Sequence, residues 1–273
     1  MNRCRRQLVV AAVALACAGA AAAYDLDEIH KRGVVRIAVY KQFAPFHDRG
    51  EGVDVDIAQA LAAALRVKAA LLPFDADENI DDDLRNMVWR GHYLGYGPAD
   101  VMLHVPVDPA LSARNTRVTI VAPYYREKLQ IARNVKRIPQ LASLSALARM
   151  PVGVEDATLG STVLLGADGG RLRENVRHYR NTSLAVEELK KGTLAAVVGL
   201  HSELMAGALD GNGFEITDIP APGVPASGWA LGVAVKKDHD ALARAVDEAM
   251  GQLIGSGQIE AIFRRHRVDW LQP

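Results

Sequence analysis

Two short apolar runs, Val34–Val39 and Ala69–Pro73, enclose a segment in which Ile57, Leu61 and Leu65 recur every four residues. Runs of that length read as buried strands, and the i, i+4, i+8 spacing is the core face of a helix. Strand, helix and strand within about 40 residues make a βαβ unit, because parallel strands need a long crossover. Asp54 stands where an N-cap is expected, and Asp56 lies in the first turn, where the positive helix end favours anions. A short helix over Asp25–Lys31, closed by Gly33, comes before the first strand. The unit commits the chain to the α/β class.

The same alternation continues. Strands are predicted at Ala99–Val105, at Val118–Ala122 leading into Lys128–Arg133, and at Val152–Val154, Val176–Tyr179, Leu194–Leu200, Phe214–Ile219 and Trp229–Val235. Helices are predicted at Leu141–Ala148, Thr158–Leu165 and Ser183–Lys190, the last ended by Gly192. A final helical stripe uses Leu242, Val246, Met250 and Leu253, and resumes at Ile259, Ile262 and Phe263.

The first 23 residues read as an export signal. Arg3, Arg5 and Arg6 form a positive start, Leu8–Ala16 is a short apolar core, and Ala21-Ala22-Ala23 is a cleavage site. The mature chain then starts at Tyr24, and no other segment approaches a membrane span. Cys4 and Cys17 both fall inside the signal. This excludes thiolate metal sites, cysteine nucleophiles and redox pairs from the mature protein. Setting the signal aside takes 32 basic residues to 29 against 32 acidic ones. There is no basic excess to suggest nucleic acid or an anionic membrane surface.

Rare residues concentrate between Glu78 and Pro106, where Trp89, His92, Tyr93, Tyr96 and His104 stand around Gly91, Gly95 and Gly97. A capped helix is expected to run into a Gly-rich turn and then a central strand, which places the turn at a strand end. In open α/β sheets ligands sit beside strand ends. Upstream, Asp75, Asp77, Asn79 and Asp81 have the 1, 3, 5, 7 spacing of a calcium loop. Ile80 replaces the required Gly and Asn86 the closing Glu, so a solvated acidic entry to a helix is expected instead. The spacing of His92 and His104 fits no metal pair, and no cofactor or metal is expected.

Gly33-Val-Val-Arg-Ile-Ala-Val, Pro45-Phe46 and Gly52-Val-Asp-Val-Asp-Ile-Ala-Gln-Ala-Leu-Ala resemble the start of the family 3 periplasmic solute-binding proteins. Arg114, nine residues before Pro123-Tyr124, Leu141–Val154 and the ending Ala241–Phe263 also match. The resemblance implies a type II periplasmic binding protein fold, two α/β lobes joined by two crossing strands with a cleft between. The crossings are expected near Tyr125–Arg133 and Trp229–Val235. Residues 24–125 with 232–273 would form one lobe and 126–231 the other. It also implies that Arg114 grips a ligand carboxylate, that Phe46 covers the ligand, and that Thr158 belongs to an anion pocket. The family's acidic partner for an amino group is replaced, since the strand reads Leu194-Ala-Ala-Val-Val-Gly-Leu with Gly199 in its place.

A narrower resemblance lies in Asp82-Asp-Leu-Arg-Asn-Met-Val-Trp-Arg-Gly-His-Tyr-Leu-Gly and Ala99-Asp-Val-Met-Leu-His-Val-Pro-Val-Asp. This run is similar to the binding-protein-like J components associated with PQQ-dependent methanol dehydrogenases. It implies a periplasmic accessory protein whose partners are such a dehydrogenase, of calcium or lanthanide type, and its cytochrome c.

On this reading Trp89, His92 and Tyr93 form a docking patch, since Trp and Tyr dominate binding hot spots. Trp89 packed with Tyr93 into the core is the competing expectation. Phe46, Tyr96, Asp100, His104, Arg114 and Thr158 are the cleft candidates, with Asp100 either facing the crevice or pairing with Arg90. Two other functions stay open. One is a solute receptor of an ABC transporter with a ligand other than an amino acid. The other is a dehydratase using Asp100, His104 and Glu155 as acid and base.

Overall fold

The computed structural model describes residues 25–209 and 213–273. The export-signal reading and both cysteines lie outside the described residues. The chain divides into two compact units. The first ends at Tyr124 and resumes over Leu231–Ile259; the second is Tyr125–Ala230 with Glu260–Pro273.

The first unit begins with α1 (residues 25–32), which Gly33 ends at φ +68°, a left-handed turn that glycine adopts without strain. β1 (Val34–Tyr40), α2 (Val53–Ala64) and β2 (Lys68–Phe74) then form the expected parallel unit, with Val34 opposite Lys68 and Tyr40 opposite Phe74. Ile57, Ala58 and Leu61 of α2 are fully buried; each large aliphatic chain removed from water contributes about 1.5–3 kcal/mol. α3 (Ile80–Leu84) starts at Asn79, whose side chain accepts from the Asp82 amide, and passes into a π-helical turn over Arg85–Trp89. β3 (Val101–Pro106) follows, then α4 (Pro109–Arg114), which the Asp108 carboxylate caps through the Leu111 amide. β4 (Val118–Glu127) continues past the unit boundary.

The second unit holds β5 (Leu129–Asn134), β6 (Val152–Glu155), α5 (Leu159–Gly166), β7 (Val176–Tyr179), α6 (Thr182–Lys190), β8 (Ala196–Leu200), α7 (His201–Ala206) and β9 (Phe214–Asp218). β10 (Trp229–Lys236) carries the chain back, and α8 (Asp240–Gly255) and α9 (Gln258–Arg265) end it.

Each unit has a five-stranded sheet of one kind. The order is β2-β1-β3-β10-β4 in the first and β7-β6-β8-β5-β9 in the second. The three strands at one end are parallel, and the antiparallel partner beside them is β10 or β5. The inner parallel strands β3, β6 and β8 are buried on both faces, as helix-covered sheets require, while the edge strands β2 and β7 are mostly half-buried or exposed.

Two expectations need correction. Leu141–Ala148 is only a 3-10 turn over Leu144–Leu147, because Ser143 and Ser145 favour caps and turns over helix interiors. Grouping by contact also changes units a third time, at Glu260, so the tail expected in the first lobe to residue 273 groups with the second. Tyr125 stacks on Phe263 at 4.3 Å, and the Arg126 amide donates to the Leu271 carbonyl. The Gly-rich turn over 91–97 leads into β3 and packs toward the segment that follows β2: a Cβ on Gly97 would lie 2.8 Å from the Asn86 carbonyl oxygen, and the Asn86 side chain donates to Asp77 at 3.0 Å.

Candidate functional site

In the first unit the parallel strands deliver the Tyr40–Gly52 loop, the Asp75–Asn79 run and the end of β3 to one edge. The loop is clamped to α2: the Pro45 and Phe46 carbonyls accept from the Val53 and Asp54 amides, at 3.0 Å each. Gly52 permits this approach, because a Cβ there would lie 2.2 Å from the Phe46 carbonyl oxygen. Phe46 is fully buried, so it is part of the wall and not an exposed cover. Its ring meets His104 edge-on at 4.2 Å, and Phe43 meets the same imidazole at 4.8 Å.

His104 breaks the regularity of β3, with φ +63° and a register shift in the facing strand between Gly232 and Ala234. Its amide donates to the Tyr124 hydroxyl (3.1 Å), which in turn donates to Asp54 Oδ1 (3.3 Å). Asp54 Oδ2 and His104 Nδ1 face each other at 3.7 Å, and neither has a hydrogen-bond partner among the described residues. Asp54 is therefore not the solvent-facing N-cap expected; Gly52 holds that position, and the carboxyl points into the core. Burial pushes its pKa up to about 8, against the smaller lowering effect of the Tyr124 bond. Burial takes the His104 imidazole down to about 3. The pair is uncharged at neutral pH, a proton donor opposite an acceptor within an aromatic shell.

The loop before β3 is the opposite kind of surface. Tyr93 is 88% exposed, Leu94 69% and Tyr96 40%. The His92 amide donates to the Tyr96 carbonyl (2.8 Å) and the Gly95 amide to the His92 carbonyl (2.9 Å). The His92 ring stacks on Tyr96 at 4.2 Å and leans on Tyr93 at 4.3 Å. Trp89 does not pack with Tyr93; it is half-buried against the core of Leu84, Met87 and Val88, and the Arg117 guanidinium lies 5.2 Å over its ring.

Asp100 pairs with neither a ligand position nor Arg90. It sits before the N-terminal end of β3, where the Arg32 and Arg36 side chains and the Arg36 amide all donate to it. Arg114 Nε donates to both oxygens of Asp81, at 3.0 and 2.9 Å, and Asn115 donates to the same carboxylate. The acidic run is taken up one group at a time: Asp75 by Lys41, Asp77 by Asn86, Asp82 by Arg85, and Asp83 by the Tyr40 hydroxyl. No cluster of three or more potential metal ligands occurs among the described residues.

In the second unit Thr158 caps α5, its Oγ1 accepting from the Ser161 amide (3.2 Å) and donating to the Glu155 carbonyl (2.8 Å). Near it the Thr182 hydroxyl stands between two carboxyl groups, 3.0 Å from Glu155 and 2.9 Å from Glu203. Burial and then the Glu155 charge raise Glu203 to about 8. A Cβ at Gly199 would lie 2.8 Å from Thr182 Cγ2 and 3.4 Å from Glu203 Oε2. That space is already filled, which explains why the strand carries glycine there.

The structure thus gathers Phe46 with His104, and His92 and Tyr93 with Tyr96. It leaves Asp100 and Arg114 in separate ion pairs, and Thr158 in the other unit. Sequence reasoning missed Asp54, Tyr124 and Glu203. Asp54 had a signal, since it lies on the apolar stripe with Ile57, Ala58 and Leu61, and a carboxylate there is buried by geometry. Glu203 had a weaker one, three residues after Leu200, whose amide it accepts from.

No protein-family profile matches the chain. A probable histidine-binding protein of Neisseria gonorrhoeae is 25% identical over 95% of this chain and 92% of its own length. An ancestral cationic amino-acid solute-binding protein superposes with a TM-score of 0.68 at 22% identity, over 89% of this chain and 99% of its own. An amino-acid ABC-transporter substrate-binding protein of Streptococcus pneumoniae, bound to L-arginine, gives 0.63 at 20% identity, over 90% and 99%. The chain has the two-lobed α/β fold of the family 3 periplasmic solute-binding proteins. No helix among the described residues is long and apolar enough to cross a membrane.

Proposed function

We propose that this chain is a periplasmic, non-enzymatic accessory protein on a solute-binding scaffold, which docks on a PQQ-dependent methanol dehydrogenase and aids its maturation or activation. The observation that carries the reading is the His92–Tyr96 loop. It holds Tyr93, Leu94 and Tyr96 outward in the stretch that resembles the dehydrogenase-associated J components. Burying such side chains is what a docking contact achieves. The groups a carboxylate-binding receptor would offer are already engaged, Arg114 by Asp81 and Asp100 by two arginines. His104, the histidine considered for dehydration, is sealed among aromatic rings.

The test is retention of the dehydrogenase from the periplasm of methanol-grown cells by the mature protein, identified by mass spectrometry and confirmed with the purified enzyme. Recovery is expected from the wild type and is expected to be lost in a Tyr93→Ala/Tyr96→Ala variant.

A second reading is favoured by the probable histidine-binding relative and by Thr158 at the start of α5. It is a receptor delivering a solute to an ABC transporter. A small molecule released on denaturation, with no dehydrogenase retained, would select it.

A further inference from the structure

We propose that the His92–Tyr96 loop and the acidic run beside it form one recognition face for a cationic side chain, Arg or Lys, on the partner protein. The inference rests on the docking reading and specifies the chemistry that is docked.

Two independent features meet at this place. The first is aromatic. The His92 ring is held against Tyr96 at 13° and 4.2 Å, and Tyr93 leans on its neighbour while 88% exposed. Two backbone hydrogen bonds close the loop, so the ring faces are ordered before anything binds, which lowers the entropy lost on association.

The second is charge. Asp75, Asp77 and Glu78 form an exposed run, and it is tied to the loop through Asn86, whose side chain donates to Asp77 at 3.0 Å and whose carbonyl oxygen would lie 2.8 Å from a Cβ on Gly97, the neighbour of Tyr96. Lys41 is paired to Asp75 at 3.1 Å, which leaves Asp77 and Glu78 of the run without a paired cation among the described residues. The rim is left with excess negative charge.

An apolar partner would have to strip water from these carboxylates without compensation, and an acidic partner would be repelled. A cation gains from both features, lying over a ring face while its charge faces a carboxylate. Arginine suits the place best, since its planar fork stacks and pairs at once. The same unit already holds an arginine over an aromatic ring, Arg117 at 5.2 Å from the centre of Trp89.

The test measures binding of the mature protein to the purified PQQ-dependent methanol dehydrogenase of the same organism, by calorimetry at low and at raised salt. The variants are Asp75→Lys/Glu78→Lys and, as a milder pair, Asp75→Asn/Glu78→Gln. Asp77 is left alone because it holds the Asn86 side chain and the Glu78 amide. Far-UV dichroism confirms that each variant is folded.

Raised salt is expected to weaken binding roughly tenfold, and charge reversal by a similar factor or more, with the neutral pair between. Binding by the wild type that neither salt nor charge reversal changes beyond twofold would overturn the inference while leaving the docking reading standing. No binding by the wild type would remove the docking reading, and this inference with it.

Discussion

A carboxyl group with no water around it keeps its proton, and Asp54 is such a group. Its apolar surroundings supply one hydrogen bond, from Tyr124, where bulk water would supply several. In the unfolded chain the same group ionises near its ordinary value, so the folded state binds a proton that the unfolded state has released. Stability from this site is therefore present in acid and declines as the pH rises toward about 8. Asp54→Asn keeps the shape and the oxygen that Tyr124 donates to, and cannot ionise. Relative to wild type, the variant is expected to gain about 1.4 kcal/mol per pH unit between pH 5.5 and 7.5. Urea unfolding at the two pH values measures the difference. A constant difference would mean that Asp54 ionises freely in the folded protein.

Elements are held by backbone contacts that side-chain patterns describe only in part. The βαβ unit was readable because burial on a helix stripe and in short apolar runs leaves a periodic trace. The clamp between the Phe46 loop and α2 was not, because it joins carbonyl oxygens to amides and needs only an absence, the missing Cβ of Gly52. Gly52→Ala would drive a methyl group into the Phe46 carbonyl at a φ of +138° that alanine rarely adopts. Strain and overpacking together are expected to cost about 3 kcal/mol, read as a lowered urea midpoint. A loss below about 0.5 kcal/mol would show that the loop gives way and that the clamp contributes little. The π-helical turn was illegible for a similar reason. Its signature, the Arg90 amide on the Arg85 carbonyl at 2.9 Å, is one residue out of helical phase, and the side chains of 85–89 do not mark it.

Across the whole molecule, strand–helix alternation made the fold class legible, and the resemblance supplied the lobes. The tail was the part that escaped. Ile259, Ile262 and Phe263 continue an apolar stripe whichever unit they serve, and periodicity reveals that a face is buried without saying against what. Both units nevertheless share one electrostatic feature, a carboxyl group that burial raises: Asp54 in the first and Glu127 in the second are sealed from water, and the half-buried Glu203 is raised as well. Glu127, at the end of β4, accepts from the Ser202 hydroxyl and from the Lys128 and Ser202 amides, yet burial still raises it to about 7. Two histidines act in the other direction, since burial lowers both His104 and His201, and their contribution fades as the pH falls below about 6.5. Above that value the histidines are neutral in both states and drop out of the balance. The unfolded carboxyls are ionised there, while the folded ones release their protons only through about 7 to 8. Stability must then fall with rising pH, by about 1.4 kcal/mol per unit for each carboxyl still protonated. The melting temperature is expected to drop steadily from pH 6.5 to 8.5, and calorimetry across that range is the check. A flat or rising profile would require these three groups to be ionised in the folded chain, with partners that burial alone does not provide.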